Sequence, residues 1–516
     1  MGATTFCSGL LLLLWLWRCV FMRAYGSGRE LRHRNIILVG PSIYILKVIR
    51  QVQYLWKGPE ILLHAHTKEL PYAIRTPETY QIQFSSDTHI KQLSQAPEAY
   101  LSLHALAKDM FQPEYTMNGL EVDDPKSVNR SVHLRALQVE LQSQLPILKQ
   151  PLADCISTAF AQEVIAGEFL TGNWRSLRLF PTAKRVITAG NARIFFGPEV
   201  SNDPAFLEAA LEYPEHLMET AEALRFIPSF LAPFAAPYLM RRHKALKMLL
   251  TRLTPIVEKR LNRIRQRDNV DEDDPLAPAT QPVDCIQFLV NAVERKRQQD
   301  VWSAQRIVQV LLGTWFASVH QPAMCLFYAL DDLCLHPQYV DELRDEVSRG
   351  IHEGRDIDSL TLLDGFLRES ARLHPTDSIS VRRKVLQPFT FQDGTCLMRD
   401  EVACVPLQPI LRNPQFYEDP LTFNPRRYAA LGKASNIAKF TLADHTFPIW
   451  GLGKHACPGR YYASLLLKLV LTQILLDYEV RMPDNSPQRK RYFYWRSSIV
   501  PKSGARLEFR KRSTCE

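Results

Sequence analysis

The chain has 516 residues, 46% of them hydrophobic and 23% charged, with a net charge of +9; these values exclude disordered and collagen-like classes and suffice for a large buried core. Its ten cysteines form no Cys-x-x-Cys pair, so neither a zinc site nor a disulfide framework is indicated, and scattered free thiols suit a reducing compartment. No run of Lys and Arg is long enough for a nucleic-acid arm, so no nucleic acid is expected and the positive surface suits anionic lipid or an acidic protein partner.

The first segment, residues 6–17, is apolar with five consecutive leucines. Arg18 interrupts it, a resumed apolar stretch reaches Met22, and Arg23, Arg29, Arg32 and Arg34 follow. This pattern predicts an uncleaved single membrane anchor within residues 1–34, with Arg18 snorkelling and the downstream arginines holding the body in the cytoplasm. A cleaved signal peptide is the competing reading, weakened by the lack of a small-residue cleavage site. No Gly/Ser linker divides residues 35–516, which are expected to form one catalytic domain.

Residues 35–39 and 81–84 have the pattern of short strands. Apolar spacings of three and four predict helices over 134–145, ending before Pro146, and over 155–169. Residues 224–240 combine three prolines with several aromatics and run into Arg241, Arg242, His243 and Lys244. They read either as a kinked membrane-facing loop with a basic edge or as a helix-loop-helix corner with its aromatics packed inward. Residues 268–282, acidic and proline-rich, read as a surface loop. Residues 303–335 are apolar on most sides and predict a helix through the middle of the protein, kinked upstream of Pro322 with the Ser318 carbonyl freed.

Four segments carry candidate chemistry. The central helix holds Phe316-Ala317-Ser318-Val319-His320-Gln321-Pro322, in which His320 alone would pass for a core histidine. A short helix over 364–374 places Glu369 and Arg372 three apart on one face, a spacing typical of a surface ion pair. Residues 420–428 form a proline-clamped segment ending in Arg426, Arg427 and Tyr428. Finally, Cys457 lies in a turn, residues 450–459, rich in glycine and opening onto an apolar helix. The helix N-terminus is expected to lower the thiol pKa and to present a thiolate to a metal.

In this order the segments resemble the cytochrome P450 heme-thiolate monooxygenases over nearly the whole chain. Residues 450–459 are similar to F-x-x-G-x-x-x-C-x-G, with Trp450 for Phe and His455 for the usual Arg. Glu369 and Arg372 match E-x-x-R, and Pro420, Phe423, Pro425 and Arg427 match P-x-x-F-x-P-x-R. The wording around Cys457 is most similar to fungal enzymes of terpenoid or meroterpenoid secondary metabolism. The resemblance implies a mainly α fold with smaller β-sheets (α+β) and a long central helix over a heme. It makes Cys457 the iron ligand of heme b, with Trp450, Gly451 and Gly459 of its turn beside the heme. Arg383, His455 and Arg135 would hold the propionates, and Glu369, Arg372 and Arg427 would brace the turn.

On the distal side the family's A/G-G-x-D/E-T is replaced by Ala317, Ser318, Val319, His320 and Gln321, which lack both the acid and the threonine. His320 is expected to relay protons near pH 7, Gln321 to position water, and Ala317 to face the reacting centre. Substrate contacts are expected within 100–129, 226–239, 311–319 and 378–381, the last three of which are largely apolar and suit a bulky hydrophobic small molecule. The implied activity is insertion of one oxygen atom from O2 by hydroxylation, epoxidation or multistep oxidation at the endoplasmic reticulum membrane. Gly-x-Gly-x-x-Gly is absent, so electrons would come from a separate NADPH-cytochrome P450 reductase. The alternatives are a heme-thiolate isomerase or dehydratase needing no external electrons, and a non-catalytic heme-based binder of hydrophobic ligands. A serine hydrolase has little support, because no Gly-x-Ser-x-Gly elbow occurs.

Overall fold

A computed structural model describes residues 31, 33–40, 44–66, 70–117, 119, 132–267, 281–295, 302–431, 439–483 and 490–512. Apart from Leu31, His33 and Arg34, the expected anchor over 1–34 lies outside these residues, as does nearly all of the acidic stretch 268–282.

The principal sheet has six strands, β1 (Ile37–Val39), β2 (Tyr72–Arg75), β3 (Tyr80–Gln83), β4 (Leu101–Ser102), β5 (Ile379–Val385) and β6 (Val402–Pro406). Their spatial order is β1-β2-β3-β6-β5-β4, with β1–β2 and β3–β6 parallel and the other pairs antiparallel. The two strands expected from the N-terminal sequence thus lie in one sheet, completed by strands more than 300 residues later. A second, four-stranded sheet joins Glu168–Phe169, Arg175–Arg178, Tyr478–Arg481 and Arg506–Lys511, and a hairpin pairs β7 (Tyr492–Trp495) with β8 (Ser498–Pro501).

Helices make up most of the rest of the core, among them α1 (Tyr44–Ala65), α2 (Leu103–Phe111), α3 (Gln142–Ala166), α4 (Leu179–Phe195), α5 (Pro204–Leu224), α6 (Ala232–Leu239), α7 (Ala304–Leu335), α8 (Thr361–Leu373) and α9 (Arg460–Asp477). The architecture is the expected one, mainly helical with smaller sheets. Two boundaries differ. Helical residues begin at Val132, pass through a π-helical stretch at Ala136–Leu141, and continue as α3 through both Pro146 and Pro151. The missing proline donors are tolerated because Leu148, Leu152, Ile156, Phe160 and Val164 recur every four residues and bury one continuous face. The same helix stops at Ala166 rather than 169, because Glu168–Phe169 pairs as an edge strand.

The central helix α7 runs for 32 residues, with Ser303 as its N-cap accepting from the Arg306 amide. By length and composition it could cross a bilayer, but it packs against α4, α5, α8 and α9 and buries Trp315 completely. Pro322 frees the Ser318 carbonyl as expected, and Asn191 Nδ2 on α4 donates to it at 2.7 Å. The Tyr462 hydroxyl on α9 donates to Asn191 Oδ1 at 2.7 Å, so one side-chain amide ties three core helices together.

Residues 224–240 form a corner of the kind expected, but its aromatics do not pack inward. A 3-10 turn over Ser229–Leu231 leads into α6, where Ala232 and Ala236 are buried. Phe230, Phe234 and Tyr238 stand 71%, 80% and 83% exposed. Prolines at 228, 233 and 237 fix the turn, and Ala232 and Ala236 form a small cluster with Leu224 against which Tyr115, Ile227 and Leu239 pack.

A candidate active site between the thiol turn and the central helix

The thiol turn is built on backbone that a side chain would disturb. Gly451 has φ +75°, and a Cβ there would lie 3.1 Å from the His455 carbonyl oxygen. Gly453 has φ +60° and would press on Ser94 O at 3.2 Å. The Cys457 amide closes the loop by donating to Trp450 O at 2.6 Å, and the Trp450 indole donates to Phe440 O at 2.6 Å. Helix α9 then starts at Arg460 with no side-chain cap.

The expected depression of the Cys457 pKa is corrected by this setting. Burial raises it, and the Gly459 backbone hydrogen bond and the Arg460 charge do not compensate. A helix N-terminus supplies only partial charge, whereas removing a thiolate from water costs more; an adjacent cation is what would make the anion stable there.

Behind the turn, Glu369 and Arg372 are fully buried rather than forming a surface pair. Arg372 Nε and Nη2 donate to the two Glu369 oxygens at 2.8 and 2.7 Å, while Nη1 donates to Leu411 O and Pro420 O. Glu369 also accepts from Arg427 Nε at 3.1 Å, from the Tyr428 hydroxyl at 2.7 Å and from the Asn424 amide at 3.0 Å. Burial raises the Glu369 pKa, but these contacts, led by Arg372, outweigh it and hold the carboxyl below its usual range.

The turn and α7 border one cavity of about 2440 Å³. Cys457, Trp450, Gly451 and Gly459 lie along it, and a Cβ on Gly459 would meet no protein atom within 4 Å. Across from the turn, Ala317 and Gln321 are exposed where α7 meets the cavity, and His320 lines it too. Burial lowers the His320 pKa to about 4, with Lys184 adding to the shift and Glu215 opposing it. The expectation of a histidine titrating near pH 7 is therefore corrected: the imidazole is neutral there. Its Nδ1 is buried without a hydrogen-bond partner.

A basic edge of the cavity comes from separate elements. Strand β5 kinks at Val381, φ +47°, where its pairing with β6 shifts register between Ala403 and Val405. Arg383, just beyond the bulge, is buried and lines the cavity with Nη2 unpartnered, and burial lowers its pKa to about 10. Ser380 Oγ donates to Pro448 O at 2.6 Å and joins β5 to the thiol turn. His455 Nε2 lies 3.1 Å from Glu98 Oε2, close enough for an ion pair but not aligned as a hydrogen bond. His104 Nδ1 on α2 is 3.1 Å from the other Glu98 oxygen. Burial raises the Glu98 pKa, but contacts with His104, His455 and Ser102 prevail and hold it well below the usual carboxylate range.

Arg135 does not join this group. It is exposed and does not line the cavity, while His133, two positions earlier, does. His133, Leu137 and Leu141 all line the cavity at a spacing of four, a signal readable in the sequence that points to His133 instead of Arg135. Sequence reasoning also missed Asn191, Tyr462, Glu98, Lys184 and Glu215, which carry no local motif. All four segments expected to touch substrate contribute lining residues, among them Phe111, Ile227, Thr314 and Val381. Position 118 and residues 120–129 of the first segment lie outside the described residues.

Residues 177–509 match the family model described as Cytochrome P450. Cytochrome P450 monooxygenase 151 of Postia placenta is 25% identical over 489 residues, covering 93% of this chain and 94% of that relative. Ent-kaurene oxidase of Gibberella intermedia is 30% identical over 390 residues, covering 73% and 70%. The solved structure of retinoic acid bound cyanobacterial CYP120A1 is similar in fold, with a TM-score of 0.62, 18% identity, and coverage of 86% of this chain and 92% of that one.

Proposed function

This chain belongs to the cytochrome P450 family as a monooxygenase, and we propose that it oxidises a bulky hydrophobic substrate of fungal terpenoid-type secondary metabolism, using heme b held by Cys457. The observation that carries the proposal is one cavity joining the thiol presented by the glycine turn to the Ala317–His320–Gln321 face of α7. The residues present fit the heme. Cys457 offers the one thiol on the turn, Gly459 leaves open space beside it, and the unpartnered Arg383 Nη2 is a ready donor to a carboxylate. His455 and His133 would assist with the propionates, in place of Arg135. Bound there, heme would supply a redox iron whose thiolate ligand favours O–O cleavage.

The chain's own part is positioning. Gly451 and Gly453 hold the turn in a shape that presents Cys457, and Glu369, Arg372 and Arg427 fix the segment behind it. Ala317 leaves room on the α7 side, Gln321 offers an amide to water or substrate, and the largely apolar lining suits a hydrophobic substrate. Residues 35–516 act as one catalytic domain, and 1–34 anchor it to the endoplasmic reticulum membrane with the catalytic domain in the cytoplasm. The exposed Phe230, Phe234 and Tyr238 support a second, shallow membrane contact beside the basic Arg241 and Arg242. An NADPH-cytochrome P450 reductase supplies the electrons.

The test is turnover of a diterpene olefin panel by the full-length protein with reductase, NADPH and 18O2. A product carrying one labelled oxygen supports the proposal. The absence of acid and threonine at His320 and Gln321 favours one second reading, an isomerase or dehydratase; conversion without NADPH and O2 would select it.

A further inference from the structure

We propose that Lys184 and Glu215 feed protons to the active cavity through His320, replacing the acid and hydroxyl that α7 lacks; this rests on the monooxygenase reading above. Inserting one atom of O2 into a substrate while the other leaves as water consumes two electrons and two protons per turnover. The electrons come from the reductase, and the protons must reach the cavity from solvent. At the two α7 positions beside the cavity, His320 and Gln321 provide an imidazole and an amide. Gln321 cannot release a proton at accessible pH, so of these two positions only the imidazole can relay one; the Thr314 and Ser318 hydroxyls on the same helix donate to the Leu311 and Trp315 carbonyls.

Three helices bring ionisable groups to the wall of this cavity. Lys184 on α4 and Glu215 on α5 are joined by a hydrogen-bonded ion pair, and both line the same cavity as His320 on α7. The Lys184 ammonium also lies over the Phe180 ring, 5.2 Å from its centroid. The Glu215 side chain keeps 32% of its surface exposed, so it can exchange protons with water. The charges of both residues act on the His320 ring. Its buried Nδ1 has no protein partner, and a buried polar atom of that kind calls for an ordered water. A water there would have Nδ1, the Lys184–Glu215 pair and the Gln321 amide within the same cavity wall.

The neutral imidazole suits a relay better than a charged one. It takes a proton at one ring nitrogen and gives up the proton from the other, ending neutral, and a tautomer exchange resets it. Glu215, a carboxylate in its ion pair with Lys184, takes up one proton from solvent and passes it on, returning to the carboxylate that Lys184 stabilises. An ion pair serving only to tie α4 to α5 would need neither the orphaned imidazole nitrogen nor a place on the cavity wall.

The experiment uses the holoenzyme with reductase, NADPH and a diterpene olefin that the wild type oxidises. For Glu215→Gln the reduced carbon-monoxide spectrum and the substrate-induced spectral shift should match wild type. Product formed per NADPH should fall roughly tenfold or more, with hydrogen peroxide released instead. Glu215→Ala should behave likewise and recover several-fold with added formate, a rescue that loss of a structural tie would not show. A crystal structure of the wild-type holoenzyme should show a water within hydrogen-bond distance of His320 Nδ1. Coupling by Glu215→Gln within twofold of wild type, absence of formate rescue, or an apolar contact at Nδ1 would overturn the relay. A wild type that converts the olefin without NADPH and O2 would instead overturn the monooxygenase reading itself, and the relay with it.

Discussion

Arg372 uses its guanidinium entirely inside the protein, with two donors on Glu369 and others on the Leu411, Pro420 and Thr422 carbonyls. Breaking such a pair strands a buried charge. Glu369→Ala is therefore expected to cost about 3–5 kcal/mol of unfolding free energy, measured by denaturant titration of the holoprotein. The pH dependence has a definite sign. The folded pKa of Glu369 is lowered, so its contribution is complete above the unfolded carboxylate value of about 4.3 and is lost as pH falls through the folded value. The gap between wild type and Glu369→Gln should thus narrow under acid and stay constant near neutrality. Tyr462→Phe should cost about 1–3 kcal/mol by leaving Asn191 Oδ1 unpaired; an unchanged stability would refute the three-helix tie. The spacing of Glu369 and Arg372 was legible in the sequence, but their burial was not, because Asn424, Arg427 and Tyr428 reach them from a segment more than 50 residues on. Asn191 was invisible for the same reason: its partners Ser318 and Tyr462 are on other helices.

At the level of elements, α6 and the turn before it bury alanines and display aromatics. Replacing Phe230, Phe234 and Tyr238 together by serine should weaken binding of a variant lacking residues 1–34 to anionic vesicles at least about tenfold, since burying even one such ring is worth about 1.5–3 kcal/mol. Thermal stability should change little, because these rings touch little of the core. Cosedimentation and a melting curve on the same samples check both halves. Helix periodicity placed α7 and its freed Ser318 carbonyl correctly, because a long apolar run around one proline leaves few alternatives. It failed at α3, where four-residue packing outweighed two prolines. The same periodicity, read more closely, puts His133 rather than Arg135 on the cavity face.

For the whole molecule, the mainly helical fold and the thiol turn were legible because their signals are local: glycines at fixed spacing, a cysteine, and an apolar helix after it. Of the cavity's polar edge, Arg383 and His455 were legible through the family resemblance, but His133 and Glu98, which lies against His455, were not, since they come from elements far apart in the chain. Likewise, motif spacing predicted an activated thiol, whereas burial raises the Cys457 pKa and makes the thiolate dependent on a neighbouring cation. The assignment of Cys457 as heme ligand is tested most directly by the carbon-monoxide spectrum of the reduced protein, taken for wild type and Cys457→His. Wild type should show a Soret band shifted strongly to the red, and Cys457→His should retain heme but lose that shift. A red-shifted band that survives in Cys457→His, or a wild type that never shows one, would contradict the assignment.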